Sequence, residues 1–76
     1  MSFYRVIWRD QQEKLHGEDY DERIRAEGWA GIISRTYPDR WVEVMHQYGN
    51  EGGYRLSMYR DGTLFIVDDY PGKDHE

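Results

Sequence analysis

The chain has no cysteine, and no stretch of it approaches the length of apolar sequence that crosses a membrane. The first absence excludes disulfide bonds, zinc-thiolate centres and thiol catalysis. The second predicts no membrane span, and the opening segment MSFYRVIWRD also lacks the apolar core of a signal peptide. We therefore expect a cytoplasmic protein that does not contact a membrane.

A surplus of basic residues is also missing. The formal charge is −5 and the pI is about 5.1. Proteins that bind duplex nucleic acid usually carry a positive field that releases counterions from the phosphates. The net negative charge argues against duplex binding as the main role of the protein. It does not exclude a local patch of arginines.

What the chain does have is aromatic residues. The mean hydropathy of −1.00 is low and 33% of residues are charged, but 16% are aromatic and supply large apolar areas. A chain of 76 residues buries roughly 60% of its unfolded surface and forms one domain with a small core. We expect that domain to span residues 1–70, with a flexible tail at 71–76.

The segment Trp41 to Tyr70 predicts three consecutive strands. A glycine-rich loop at 49–53 joins the first two, and the Asp61-Gly62 pair joins the last two. Asp-Gly between alternating apolar runs is a strong hairpin signal, because both positions need positive φ. A further strand is predicted for residues 3–9, which alternate in the same way.

One short helix is predicted for residues 18–27, with Asp19 as N-cap and Gly28 at the left-handed C-terminal position. Residues 29–37 are ambiguous: their β-branched residues, and the cost of Gly28 and Gly31 in a helix, favour a strand over a longer helix. The predicted fold is therefore α+β, in the order β-α-β-β-β-β: a mainly antiparallel sheet of four or five strands with one short helix on one face. The alternative is an SH3-like small barrel.

The predicted strand registers assign the two faces of this sheet. Pairing Arg60 with Thr63 and Tyr48 with Tyr54 gives one face that we interpret as core and a second face that mixes polar and aromatic groups. The core face holds Val42, Val44, Leu56, Met58, Phe65 and Val67, covered by Ile24, Tyr20 and Trp29. The second face holds Trp41, Glu43, Met45, Gln47, Arg55, Ser57, Tyr59, Ile66 and Asp68, with Ser34 and Thr36.

No group of residues predicts catalysis or a cofactor. His16 with Asp19, and His75 among acids, lack the number of ligands that a metal site needs. His46 falls on the predicted core face. Glu43, Arg55 and Asp68 are better explained as a cross-strand ion-pair cluster than as paired catalytic carboxylates. The glycine-rich loop precedes a strand rather than a helix, so it does not resemble a phosphate cradle.

Two charge patterns suggest binding. Arginines interleaved with Tyr and Trp suggest a single-stranded nucleic-acid surface, at Arg23, Arg25, Arg35, Arg40, Arg55 and Arg60. Acidic clusters suggest instead a negative surface for a basic, nucleic-acid-binding protein, at residues 18–22, 68, 69, 74 and 76. Helix capping and solubility explain most of these acids equally well.

The leading hypothesis is a non-enzymatic module that binds a protein partner and acts by occupying its surface, as small inhibitors, immunity proteins and anti-defence proteins do. Its expected contacts are Trp41, Glu43, Arg55 and Tyr59, with Glu18, Asp19, Asp21 and Glu22 as a separate steering patch. The alternatives are a single-stranded nucleic-acid binder and a homodimeric structural protein formed through the same second face.

Overall fold

A computed structural model describes residues 2–48 and 52–67 of the chain. These residues form five strands and one helix. The strands are β1 (Ser2–Arg9), β2 (Leu15–Tyr20), β3 (Val42–Tyr48), β4 (Gly53–Arg60) and β5 (Thr63–Ile66), and the helix is α1 (Arg23–Thr36). The tip of the predicted glycine-rich loop, Asp68 with the acids that follow it, and the predicted tail lie outside the described residues.

The strands form one antiparallel sheet in the order β2-β1-β3-β4-β5, and α1 packs across one of its faces. This confirms the predicted α+β class with a single helix on one face. The element order is β-β-α-β-β-β rather than β-α-β-β-β-β. The sheet is open, with β2 and β5 at its edges, so the SH3-like barrel alternative is wrong.

The Asp61-Gly62 hairpin has the predicted register. Asp61 and Gly62 both have positive φ, 50° and 79°, as a two-residue turn of this kind requires. Arg60 pairs with Thr63, and Met58 with Phe65. The turn chemistry is local to these residues, which is why the sequence alone predicts it.

The predicted register between β3 and β4 is wrong. Val42 lies opposite Tyr59 rather than Arg60, and a β-bulge follows Val44, so that Met45 lies opposite Arg55. A shift of one residue moves every side chain of a strand to the other face. Ser57 and Tyr59 are therefore buried beneath the helix, whereas Met58 and Phe65, predicted to be core, lie on the opposite face.

Two segments have a different secondary structure from the one predicted. Residues 15–20, predicted as a polar connection and helix start, form β2 and pair with β1. The turn before them is tight because the Asp10 carboxylate accepts hydrogen bonds from the backbone N–H groups of Gln12 and Lys14. β2 has no apolar alternation to mark it, since it lies at the edge of the sheet and its residues are mostly exposed.

The helix begins at Arg23, and residues 29–36, predicted as a strand, continue it. Its N-cap is Glu22, with no capping hydrogen bond from a side chain, so the predicted Asp19 cap is wrong. The residues that α1 buries are small: Ala26, Ala30 and Ser34, one every four residues. A helix that presents such residues comes close to the sheet, and this tertiary contact outweighs the cost of the two glycines in it.

The core lies between α1 and the sheet. Its buried apolar residues are Val6, Ala26, Ala30, Val42, Val44, Leu56 and Tyr59. Val42, Val44 and Leu56 are core residues as predicted, and Tyr20 packs against them. Ile24 and Trp29, predicted to cover the core, point to solvent instead. No helix in the described part of the chain is long and apolar enough to cross a membrane.

Candidate functional site

The side of the sheet that faces away from α1 is the candidate site, and we call it the open face. Strand alternation and pairing assign its residues. They are Phe3, Arg5, Ile7, Arg9, Leu15, Asp19, Trp41, Glu43, Met45, Gln47, Arg55, Met58, Arg60, Thr63 and Phe65. Within residues 2–48 and 52–67, the one helix packs on the other side of the sheet, so no helix covers this face.

An aromatic group lies at the β4–β5 end of the open face. The rings of Trp41 and Phe65 meet edge to face, with 5.4 Å between their centroids. The guanidinium carbon of Arg60 lies 5.3 Å from the centroid of the Trp41 ring, as in a cation–π contact. Trp41 remains 41% exposed and Phe65 48% exposed. The group is thus held in place by its neighbours while it presents apolar area to solvent.

Methionines and an ion pair occupy the centre of the open face. The Arg55 guanidinium lies 3.5 Å from the Glu43 carboxylate and 3.7 Å from the Met58 sulfur. Met45 lies opposite Arg55 on the neighbouring strand. The Glu43–Arg55 part of the predicted ion-pair cluster is therefore present. Methionine adapts its shape to a partner surface, so this centre suits binding rather than rigid packing.

The β1–β2 end of the open face carries the third group. Arg5 donates two hydrogen bonds to the Asp19 carboxylate, at 2.7 and 3.2 Å. These bonds lower the pKa of Asp19. Two shallow depressions share Ile7 and Leu15: one also includes this pair, and the other is lined by Trp41. Polar and apolar patches therefore alternate along the face.

The open face is locally basic although the whole chain is acidic. Its charged residues are Arg5, Arg9, Arg55 and Arg60 against Asp19 and Glu43. Of the six arginines singled out from the sequence, Arg55 and Arg60 lie here, whereas Arg23, Arg25 and Arg35 are on α1. Arg40 lies in the turn before β3 and pairs with Glu13.

The structure brings together three of the predicted contact residues: Trp41, Glu43 and Arg55 share the open face. Tyr59 does not join them, because the register shift turns it beneath α1, where it is 7% exposed. Its assignment to the second face is wrong. The sequence gives no sign of the bulge that causes this change.

The four predicted steering acids do not form one patch. Glu18 and Asp19 are consecutive in β2, so their side chains point to opposite sides of the sheet. Glu18 accepts a hydrogen bond from the Tyr20 hydroxyl, on the helix side. Asp21 and Glu22 lie in the turn that leads into α1. Three of the acids thus lie on or near the helix side, and Asp19 alone lies on the open face.

A hydrogen-bonded group around one carboxylate beneath the helix is the feature that sequence reasoning missed. Glu27 of α1 accepts hydrogen bonds from the hydroxyls of Ser57 at 2.8 Å and Tyr59 at 2.5 Å. Its other contact is with Arg23, one helical turn earlier, at 3.1 Å. Burial, and next the bond to Glu27, raise the pKa of Tyr59 well above its usual range. Ser57 is 1% exposed, so this group ties the helix to the sheet.

The two described histidines each have a hydrogen-bond partner. His46 lies on the helix side, as predicted, where its ring stacks on Tyr4 and its Nδ1 atom lies 2.9 Å from the Tyr54 hydroxyl. His16 lies 2.8 Å from Asp10 rather than beside Asp19, and its ring stacks on Trp8. In the part of the chain that the structure describes, no three potential ligands are placed to hold a metal ion. His75 lies outside that part.

Comparison with protein-family models, curated proteins and solved structures finds no match to this chain.

Proposed function

We propose that this protein is a small binding module whose open face occupies the surface of a protein partner. In this account it acts in the cytoplasm, as an inhibitor, immunity protein or anti-defence protein does, by blocking what the partner would otherwise contact. The analogy rests on size, charge and the kind of surface presented.

The observation that carries this proposal is the exposed combination of Trp41, Phe65, Met58 and Arg55 on one uncovered sheet face. Trp and Arg dominate the binding energy at protein interfaces, and Met and other aromatic residues are enriched there. Large apolar side chains that cluster on an exposed surface often mark an interaction site. The cation–π contact and the ion pair hold these side chains in place before binding, which reduces the entropy cost of association.

The acids near the start of α1 have a separate role in this proposal. Asp21 and Glu22 are exposed and lie away from the open face. Such charges act mainly on the rate and orientation of encounter with a basic partner. Because the open face itself is arginine-rich, acidic mimicry of nucleic acid is proposed only for this helix side of the molecule.

The test compares variants in lysate of the source organism. Three immobilised proteins are incubated with lysate: the wild type, the double variant Trp41→Ala/Met58→Ala, and the variant Gln12→Ala. Native mass spectrometry then measures the masses of the complexes that each protein retains. Gln12 is an exposed turn residue and serves as the control. We expect wild type and Gln12→Ala to retain the same protein stoichiometrically and the double variant to lose it, with affinity reduced by about 30-fold or more.

Circular dichroism first establishes that all three proteins are folded. Equal retention of that protein by a folded double variant would contradict the proposal, because it would place the contact elsewhere on the molecule.

Single-stranded nucleic-acid binding is the second candidate, and the excess of arginines over acids on the open face favours it. Aromatic rings there are available to stack on bases. It predicts an affinity for single-stranded oligonucleotides that falls steeply with salt and depends on Arg55 and Arg60. If oligonucleotide binding is absent at low salt in fluorescence anisotropy, this candidate is excluded.

A further inference from the structure

The outward side of α1 carries an apolar ridge that the open face does not explain. Ile24 and Ile32 lie four residues before and after Gly28, and are 79% and 55% exposed. A shallow depression lies between them, lined also by Arg25 and Trp29. The residues that α1 buries against the sheet are on its other side. Single exposed apolar residues are common, but a ridge along one helix face usually meets another surface.

The ridge is complementary in shape to the same ridge on a second copy of the chain. In a two-fold interface, residue i contacts j and j contacts i. If two copies of α1 cross antiparallel at Gly28, Ile24 of each lies against Ile32 of the other. The glycine leaves space for close approach, since a Cβ atom added there meets nothing within 4 Å.

The charges at the two ends of the ridge fit the same arrangement. Asp21 lies in the turn before the helix, and Arg35 lies in its last turn. The Arg35 side chain packs over Gly62 of the β4–β5 turn, where a Cβ atom added to that glycine would lie 2.6 Å from its Nε atom. An antiparallel crossing places the acidic end of each helix beside the basic end of the other. Two Asp21–Arg35 pairs form across the two-fold axis when the Arg35 guanidinium turns from Gly62 towards Asp21 of the other copy. Antiparallel helix dipoles add a favourable term. The apolar contact, the space at Gly28 and the charges therefore all favour a second copy of this chain as the partner.

We propose that the protein self-associates through α1, as an antiparallel two-fold pair centred on Gly28. This surface differs from the open face, and the proposal does not depend on the function of that face. Because α1 and the open face are on opposite sides of the sheet, the pair presents two open faces that point away from each other. An interface of two helices this short is smaller than about 1,200 Å², so the association is weak and concentration-dependent.

The first test is sedimentation equilibrium of the full chain between about 10 µM and 1 mM, the range in which weak association is observed. We expect the mean mass of wild type to rise from monomer towards dimer, and that of Ile32→Glu to stay at monomer. A wild type that remains monomeric throughout overturns the proposal. A dimer that survives Ile32→Glu but is lost in Met58→Glu also overturns it, because the open face would then be the interface.

Charge reversal tests the direction of the two helices. Asp21→Arg and Arg35→Asp alone each place like charges across the axis, and we expect each to weaken dimerisation several-fold. The double variant restores opposite charges and should recover most of the affinity. Each reversal also opposes the helix dipole, so the double variant is the least stable as a monomer. A more stable monomer therefore cannot explain a recovery of dimerisation in the double variant. Failure to recover dimerisation would refute the antiparallel arrangement.

Cross-linking tests whether the two helices cross at Gly28. The natural chain has no cysteine, so Gly28→Cys introduces a single thiol. A disulfide needs Cα atoms within about 7 Å, which requires that the helices cross at this residue. Under mild oxidation we expect Gly28→Cys to form a covalent dimer much faster than the turn control Gln12→Cys. Equal rates for the two variants would exclude a crossing at Gly28.

Discussion

At the scale of single residues, the Glu27 carboxylate joins elements that are far apart in the sequence. Three donors converge on it, from Arg23 on its own helix and from Ser57 and Tyr59 on β4. The carboxylate is 19% exposed, so these bonds replace much of its contact with water. A buried hydroxyl that loses such an acceptor keeps the full cost of its own desolvation.

We predict that Glu27→Ala lowers the free energy of unfolding by about 2–4 kcal/mol, because two buried hydroxyls lose their acceptor. A domain of this length has a total stability of roughly 4–11 kcal/mol, so the loss is a large part of it. Urea unfolding followed by tryptophan fluorescence measures the change. Glu22→Ala removes an exposed acid nearby and should alter stability by less than about 0.5 kcal/mol. Equal effects of the two substitutions would contradict the role assigned to Glu27.

Asp10 is the second residue whose charge matters to the fold. His16 and the backbone N–H of Lys14 donate to its carboxylate and lower its pKa from 3.8 to about 2. Because the folded pKa lies below the unfolded one, the ionised group stabilises the folded state. That stabilisation is complete above the unfolded pKa and is lost as the pH falls towards the folded value.

We therefore predict that the Tm difference between wild type and Asp10→Asn is largest near neutral pH and shrinks between about pH 4 and pH 2. Thermal unfolding by circular dichroism across this range gives the curve. Asp39→Asn, in another exposed turn, controls for the loss of one negative charge. A wild-type advantage over Asp10→Asn that persists unchanged at about pH 2 would show that the carboxylate charge plays no part.

At the scale of elements, the irregular pairing of β3 with β4 decides which side chains are core. Gly53 begins β4, and a Cβ atom there would collide with the His46 carbonyl oxygen on β3. At Gly17 of β2, by contrast, the nearest atom to an added Cβ is an ordinary 3.8 Å away. The close approach at Gly53 is a backbone contact, which cannot be relieved by rotating a side chain.

We predict that Gly53→Ala destabilises the protein by about 1–3 kcal/mol, as overpacking of a close contact does. Gly17→Ala, in the edge strand β2, is the matched control and should be neutral or slightly stabilising. Chemical denaturation of the two variants measures both values. If Gly53→Ala were as stable as Gly17→Ala, the close pairing at the start of β4 would be incorrect.

The elements also show where the sequence suffices and where it does not. The Asp61-Gly62 hairpin is predictable because the turn requires positive φ at two adjacent residues. The bulge after Val44 has no such local signal. It reverses the predicted faces of β5 and of β4 from Ser57 onwards, whereas Arg55 keeps its predicted face. The helix is missed beyond residue 27 because its buried side is made of alanine and serine, while Ile24 and Ile32 face solvent. Two of the three isoleucines in this helix are thus exposed, and only Ile33 packs against the core.

At the scale of the whole molecule, the charges are distributed unevenly between two surfaces. Arginines outnumber acids on the open face, while Asp21, Glu22 and Glu18 lie on or near the helix side. The sequence predicts Trp41, Glu43 and Arg55 as neighbours on one face, because strand alternation alone places Trp41 and Glu43 together. It does not predict that Arg5 and Arg9 join them, since that depends on β1 pairing with β3.

Native mass spectrometry of complexes recovered from the source organism's lysate, at low and moderate salt, decides whether the open face binds a protein. Wild type is compared with Trp41→Ala/Met58→Ala, with Gln12→Ala as control. We predict that one protein partner stays bound to wild type and to the control at moderate salt, and is absent from the double variant. Retention of the same partner by all three proteins, or recovery of nucleic acid alone at low salt, would contradict the claim that the open face binds a protein.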